Sequence, residues 1–337
     1  MLFLDFLHRA AGGRCLSEEE AARAMTLILE GQASSVQIGA FLVALRMRGE
    51  TADEITGFAR AMRRKAAAVD PGPDPVLDTC GAGGDGHGTF NISTVAAFVV
   101  AGAGVRVAKH GNRSFSSRCG SADILEALGV KVTLTPEQMG RSIREVGIGF
   151  LFAPMLHPAM KHAQPARVEL KMRTAFNLLG PLTNPAAAAY QVIGAPSPRA
   201  AGLMATALSR LGTRSAYVVH GADGMDEVTT TGATAAWHVS GSDVRELEFT
   251  PEQFGLPRAA LDSLTAPDVE GHLAMARAVL DGVLGPARDI VLANAALGLM
   301  AAGQAAGPAD GVARAADSID SGAARSKLAM LVEFTNS

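Results

Sequence analysis

Glycines, hydroxyls and amides crowd two short stretches on either side of residue 87. Gly81-Ala82-Gly83-Gly84-Asp85-Gly86 lies between an apolar run and a helical pattern, and with Gly88 it places five glycines in eight positions. Glycine is costly in chain entropy, so that density is expected where backbone N–H groups must turn inward and come close to a ligand. Inward amides beside a helix N-terminus favour an anion. Asn91-Ile92-Ser93-Thr94 begins that helix. One of the four is expected to cap it, and together they offer donors to phosphate oxygens. A third stretch, Lys109-His110-Gly111-Asn112-Arg113-Ser114-Phe115-Ser116-Ser117, carries two cations, a histidine and several hydroxyls just after a second apolar run. The fourth is Asp226-Glu227, preceded by Gly221-Ala222-Asp223-Gly224. Adjacent carboxylates are hard oxygen ligands suited to Mg²⁺, the usual companion of a diphosphate, although the pair alone is equally an ordinary acidic turn.

Two other readings of the glycines fail on their neighbours. Gly81, Gly83 and Gly86 satisfy G-x-G-x-x-G, but a dinucleotide fold needs an acid at the end of the next strand, where this chain has Lys109-His110. A nucleotide P-loop needs Gly-Lys-Ser/Thr after the glycines, and none follows. His157 and His162 lie five apart without a third ligand nearby, so zinc is not indicated, and no Ser/His/Asp arrangement suggests a triad.

The elements that must hold these residues can be read from period and punctuation. Before residue 70 the pattern is helical throughout. Ser17-x-x-Glu20 and Thr51-x-x-Glu54 are capping boxes, and Ile38, Phe41, Leu42 and Leu45 form one apolar stripe that Gly49 ends. Such stripes must pack on the rest of the chain or on another subunit. Pro71-Gly72-Pro73-Asp74-Pro75 is a stiff connector. Strands are expected at 76–80 and 105–109 around a helix near 91–104, a βαβ unit that implies a parallel sheet. Further strands are expected at 149–152, 190–194, 216–220 and 234–239, and helices at 268–281 and 289–302. Thr135-Pro136-Glu137-Gln138 and Thr250-Pro251-Glu252-Gln253 read as matching helix starts.

Bulk properties narrow the class. The chain has 337 residues, enough for two domains, with 48% hydrophobic and 19% charged residues and a formal charge of −3. No basic stripe of the kind nucleic-acid binders carry is visible. No apolar run approaches the length of a bilayer span. Asp5 comes early with no basic lead-in, which is not the pattern of a secretory leader. Cys15, Cys80 and Cys119 form neither a metal pattern nor a disulfide framework, so a reducing cytoplasm is expected.

Taken in order, Asp78-Thr79-Cys80-Gly81-Ala82-Gly83-Gly84-Asp85-Gly86, Asn91-Ile92-Ser93-Thr94, Lys109-His110-Gly111-Asn112-Arg113, Gly120-Ser121-Ala122-Asp123, the segment from Arg173-Thr174-Ala175-Phe176-Asn177 to Thr183-Asn184-Pro185, and Asp223-Gly224-Met225-Asp226-Glu227 resemble the anthranilate phosphoribosyltransferase family over essentially the whole chain. Each block is weak alone; six in this order are specific. Ala82 departs from the threonine usual in that family.

The resemblance implies an α/β protein: a small all-helical domain plus a larger α/β domain with a central, mostly parallel sheet. Residues 1–70, with a returning segment at about 165–185, would form the helical domain. Residues 71–164 and 186–337 would form the domain that binds phosphoribosyl pyrophosphate (PRPP). It implies a homodimer through the helical domain, with no nucleic acid and no membrane. PRPP would be held by Gly81, Gly83, Gly84, Asp85, Thr89, Asn91, Ile92, Ser93, Thr94, Lys109, His110, Gly111, Asn112, Arg113, Ser114, Phe115, Ser116, Ser117 and Ser121. Two Mg²⁺ ions would be bound by Ser93, Asp226 and Glu227. Gly81, Asn112 and Arg167 would meet anthranilate, with Lys109 and Arg167 the catalytic pair. Pyrimidine nucleoside phosphorylases and a nucleic-acid-binding relative resemble the same family. The first lacks the paired acids, and the second wants a basic groove.

Overall fold

A computed structural model describes residues 2–83, 86–113 and 119–337 of the chain. Four helices come first: α1 (Phe3–Ala11), α2 (Glu18–Leu29), α3 (Ser35–Arg48) and α4 (Ala52–Lys65). Next are β1 (Leu77–Gly81), α5 (Ile92–Gly102), β2 (Val107–Gly111), α6 (Ser121–Ala127), α7 (Pro136–Val146) and β3 (Ile148–Phe152). Three short helices follow: α8 (Ala153–Leu156), α9 (Gln164–Leu170) and α10 (Ala175–Leu179). The chain then runs through β4 (Tyr190–Gly194), α11 (Pro198–Arg210), β5 (Ser215–Gly221), β6 (Thr234–Ser240) and β7 (Asp243–Phe249). It ends in α12 (Val269–Leu280), α13 (Pro286–Ala301), α14 (Pro308–Asp320) and α15 (Ala323–Asn336). Among the described residues no helix is long and apolar enough to cross a membrane.

The seven strands among the described residues form one sheet in the order β3-β2-β1-β4-β5-β6-β7. The first five are parallel, and β6 and β7 are added antiparallel. The expected α/β architecture with a mostly parallel sheet is therefore present. Buried strands read as near-continuous apolar runs because helices cover both faces. Side chains alternate accordingly: Leu77, Val192, Tyr217 and Val219 join the core under α5 and α13, while Cys80, Ile193, Ala216 and Val218 join the core under α11 and the N-terminal helices. α5 is apolar nearly all round, and that suits its place between the sheet and α13–α15.

The capping boxes form as read. Ser17 Oγ accepts from Glu20 N at 3.3 Å, while Glu20 Oε2 accepts from Ser17 N at 3.0 Å. Glu54 does more than cap. Its fully buried carboxylate also accepts from Leu16 N at 2.9 Å and pairs with Arg48 at 2.5 Å, tying α4 to the end of α3 and to the loop before α2. Arg63 ties α4 to the turn at Leu182 and to the end of α11, donating to the carbonyls of Leu182 and Leu211 at 2.7 and 3.2 Å.

Three expectations need correction. The second strand is Val107–Gly111, shifted by two residues from 105–109, because Val105 closes a turn after α5 through Val100 O. The helix expected from Thr250 is only a 3₁₀ turn, Pro251–Phe254, stopped by Gly255 in the left-handed region. The strand β7 has no counterpart among the expected elements: Asp243–Phe249 is an edge strand, exposed along most of its length, so burial left no apolar alternation in its sequence.

Candidate active site

The sheet reverses its winding between β1 and β4, the place where open α/β sheets bind ligands beyond the strand C-termini. The terminal residues of these two strands are both glycine, Gly81 paired with Gly194. The reason is the acidic turn after β5. A Cβ on Gly81 would lie 2.5 Å from Asp226 Oδ2, and one on Gly194 only 1.6 Å from the Asp226 carbonyl oxygen. The missing side chains admit Asp226 to the switch point.

Around this point the expected stretches converge. Asp226 Oδ2 accepts from Gly83 N at 2.8 Å, joining the acidic turn to the glycine loop. Glu227 Oε1 accepts from Ser93 N at 3.2 Å, joining it to the first turn of α5. Lys109, in the middle of β2 and almost wholly buried, donates from Nζ to Thr79 O at 2.5 Å and to Ser93 Oγ at 3.4 Å. Residues far apart in sequence thus share one locus. Burial pushes the Lys109 ammonium below its ordinary pKa, opposed by the nearby carboxylates of Asp78 and Glu227.

Among the described residues no side chain caps α5. The expected capping is absent because Asn91 is engaged elsewhere: its Oδ1 lies 2.9 Å from His272 Nδ1, and its Nδ2 donates to Cys119 O at 3.1 Å. Ile92 and Thr94 are buried in that first turn. Thr89 is placed by a bridge to Thr265. Ser121 Oγ accepts from Asn112 N at 3.2 Å and donates to Asn112 O at 3.1 Å, fixing the turn after β2, with Gly111 making room for that hydroxyl. The Arg113 guanidinium is held by Asp123 at 2.9 Å and Glu126 at 2.6 Å. Gly84, Asp85, Ser114, Phe115, Ser116 and Ser117 lie outside the described residues.

Three residues that sequence reading gave no role build the platform underneath. Asp78 is fully buried and accepts from His110 N at 2.9 Å and from Asn184 Nδ2 at 2.8 Å, and Asn184 also donates to Ala108 O at 2.8 Å. The third, Thr79, donates from Oγ1 to Ser93 O at 3.0 Å. Asp78 and Asn184 lock the C-terminal half of β2 in place. Burial raises the Asp78 carboxyl above its usual range, with these donors pulling the other way. An acid in the middle of the run Val76–Cys80 was the available signal, since an acid is almost never fully buried without partners.

A cavity of about 540 Å³ adjoins this locus between β1, β2, α8 and α9. Gly81, His110, Asn112, His157, Arg167 and Phe176 line it. Arg167 lies over the Phe176 ring, 5.3 Å from its centroid, and burial lowers its pKa without threatening its charge. The His110 and His157 rings sit 5.3 Å apart. Burial pushes them down to about 3 and about 4, so both are neutral at physiological pH and neither serves as a proton donor there. The cavity therefore offers the Arg167 guanidinium, a second cation in Lys161, neutral imidazoles and an aromatic wall.

The donor set suits magnesium. Asp226 at the Gly83 amide, Glu227 at the Ser93 amide and the Ser93 hydroxyl beside Lys109 are oxygen donors of the kind Mg²⁺ takes, and Mg²⁺ needs few protein ligands while keeping water and phosphate oxygens. Among the described residues no three His, Cys, Asp or Glu side chains cluster for a metal.

Residues 4–66 match the helical bundle domain of a glycosyl transferase family, and residues 73–325 match its a/b domain. The chain is 56% identical to the anthranilate phosphoribosyltransferase of Solibacter usitatus, covering 100% of both. It is 56% identical to that of Moorella thermoacetica, covering 98% of both. The crystal structure of anthranilate phosphoribosyltransferase from Thermus thermophilus is similar with a TM-score of 0.94 and 46% identity, covering 99% of this chain and 100% of that one. The enzyme from Saccharomyces cerevisiae in complex with PRPP and Mg gives 0.91 and 28%, covering 99% and 98%. With both domains matched in order and the sequence shared end to end, the chain belongs to this glycosyl transferase family and, within it, to the anthranilate phosphoribosyltransferases.

Proposed function

We propose that the chain transfers the 5-phosphoribosyl group of PRPP to the amino group of anthranilate, giving N-(5-phosphoribosyl)anthranilate and pyrophosphate in tryptophan biosynthesis. One observation carries the reading: the Gly83 amide, Ser93, Lys109, Asp226 and Glu227 share a locus that adjoins a cavity holding Arg167. The first group fits a diphosphate. The second fits a flat aromatic carboxylate, with Arg167 facing the carboxylate and Phe176 the ring.

The C1–O bond to pyrophosphate breaks as the amine nitrogen forms the C1–N bond, and the bonding pair leaves with pyrophosphate. The ribose passes through oxocarbenium character, as in glycoside chemistry. An arylamine is neutral at pH 7 and its proton becomes acidic as the new bond forms, so water or the departing pyrophosphate takes that proton and no strong base is required. The chain's own work is positioning and charge stabilisation. Glycine-loop and α5 amides face the phosphates, Lys109 faces the leaving diphosphate, and Arg167 and Asn112 orient the acceptor. Ser93, Asp226 and Glu227 would hold magnesium, two ions in our reading, which supplies positive charge to the departing pyrophosphate.

Anthranilate fluorescence is expected to fall when PRPP and Mg²⁺ are both added, and to persist when either is left out. Phosphorolysis of thymidine or uridine without magnesium would instead mark a nucleoside phosphorylase, and salt-sensitive binding of single-stranded DNA the nucleic-acid-binding relative. Arg167→Ala is expected to raise the KM for anthranilate by about tenfold or more, the loss of a charge-assisted hydrogen bond, with a much smaller change in kcat. An unchanged KM would remove Arg167 from the acceptor site.

Residues 1–70 and about 165–185 are read as one helical unit, supported by the shared core of Phe3, Phe41, Phe58, Ala166 and Phe176. Its outer face supports a homodimer. Val36 and Met47 on α3 are 82% and 83% exposed beside a cleft of about 950 Å³ between α1, α3 and α9, and apolar surface of that kind favours a partner. Sedimentation velocity is expected to show a dimer that Val36→Glu with Met47→Glu converts to monomer; a wild-type monomer at high concentration would end this reading. A reducing cytoplasm is supported by the unbridged Cys15 and Cys80.

A further inference from the structure

Arg173 lies six positions beyond Arg167, on the segment that leaves α9 and enters α10. Its guanidinium reaches across to the glycine loop, where Nη2 donates to Ala82 O at 3.3 Å and also to Gly83 O. The Gly83 peptide region is thereby gripped from two sides, since Gly83 N donates to Asp226 Oδ2. Ala82 N donates to Gly194 O at 2.9 Å, which ties the same residues to the end of β4. The connecting arm is short and bent. Lys171 holds φ 46° and ψ 35°, a left-handed conformation uncommon for a residue with a side chain. The arm thus joins two ligand sites: Arg167 in the acceptor cavity at one end, and the carbonyls of the diphosphate loop at the other.

We propose that Arg173 is a positioning residue that couples occupancy of the diphosphate loop to affinity at the acceptor cavity. The inference rests on the substrates assigned above. Seating a diphosphate against the loop amides fixes the Ala82 and Gly83 peptides. Arg173 then holds the arm in the geometry that presents Arg167 to the acceptor carboxylate. Without a diphosphate these peptides are held, among the described residues, through Asp226, Gly194 and Arg173, and the arm is less constrained. By linkage the effect is reciprocal: the acceptor must strengthen diphosphate binding by the same factor.

The test measures anthranilate binding to the full chain by calorimetry, with and without magnesium pyrophosphate, which cannot react with anthranilate alone. In the wild type, magnesium pyrophosphate is expected to tighten anthranilate binding by roughly tenfold, within the range usual for coupled sites. In Arg173→Ala that factor is expected to fall to within about twofold of unity, while each ligand alone binds about as in the wild type. Arg173→Lys, which keeps a donor and the charge, is expected to retain part of the factor and serves if the alanine variant does not fold. An undiminished factor in either variant would overturn the proposal, as would equal weakening of both ligands with the coupling preserved, which is what a merely structural role predicts. A wild type that turns over PRPP and anthranilate but shows no coupling also overturns it. A wild type that binds neither ligand would instead overturn the assigned function.

Discussion

Asp226→Asn combined with Glu227→Gln is expected to lower kcat by about a thousandfold or more, the scale of losing charge stabilisation on a leaving group. The affinity for anthranilate should stay within about threefold, because neither carboxylate lines the acceptor cavity and the coupling through Arg173 is carried by backbone carbonyls. The amides are close isosteres, and each retains an oxygen to accept from Gly83 N or Ser93 N, so the folded turn should survive. Steady-state rates over a magnesium titration, with anthranilate binding measured in parallel, check this. Near-normal turnover at limiting magnesium would remove the pair from the metal site.

Lys109→Met should have the next largest effect. The variant keeps the length of the stem in its buried strand but deletes the ammonium that donates to Thr79 O and Ser93 Oγ. A loss of about a hundred- to thousandfold in kcat/KM for PRPP is expected, as for removal of a preorganised charged donor. A second signature follows from Asp78, the buried carboxyl beside this lysine, whose pKa burial raises. A folded-state pKa above the unfolded one costs nothing while pH stays below both, and the cost grows as pH rises toward the folded value. Deleting the neighbouring positive charge raises that value further. The variant's loss of stability should therefore be absent where Asp78 is protonated in both folded proteins, and grow as pH rises through the wild-type folded value. Thermal melts of both proteins across that pH range read the difference directly. A deficit in Tm independent of pH would show that Lys109 and Asp78 do not share a charge environment.

Much of the architecture is legible in the sequence, for identifiable reasons. Capping residues act within one turn, so Ser17-x-x-Glu20 and Thr51-x-x-Glu54 declare their helices locally. Strands buried on both faces keep continuous apolar runs, which is why Tyr190–Gly194 is bounded correctly and the exposed β7 is not visible. Thr250-Pro251-Glu252-Gln253 carries the same local signal as its counterpart at Thr135 but yields only a 3₁₀ turn. A cap chooses where a helix can start; Gly255 and the packing of Phe254 decide how far it goes.

For the site, residue types alone disclosed the chemistry on offer: glycines for anion approach, a lysine beside an apolar run, a pair of acids. Their spacing along the chain carried no information about distance in space. It is the fold that makes Gly81 and Gly194 end adjacent strands and admit Asp226, turns Asn91 from capping α5 to His272 and Cys119, and carries Arg173 from the α9 arm to the glycine loop. Short-range order follows from local sterics and hydrogen bonding. These long-range contacts are fixed by the burial of both sheet faces, which sets strand order and brings the carboxyl ends of separate strands together at one point.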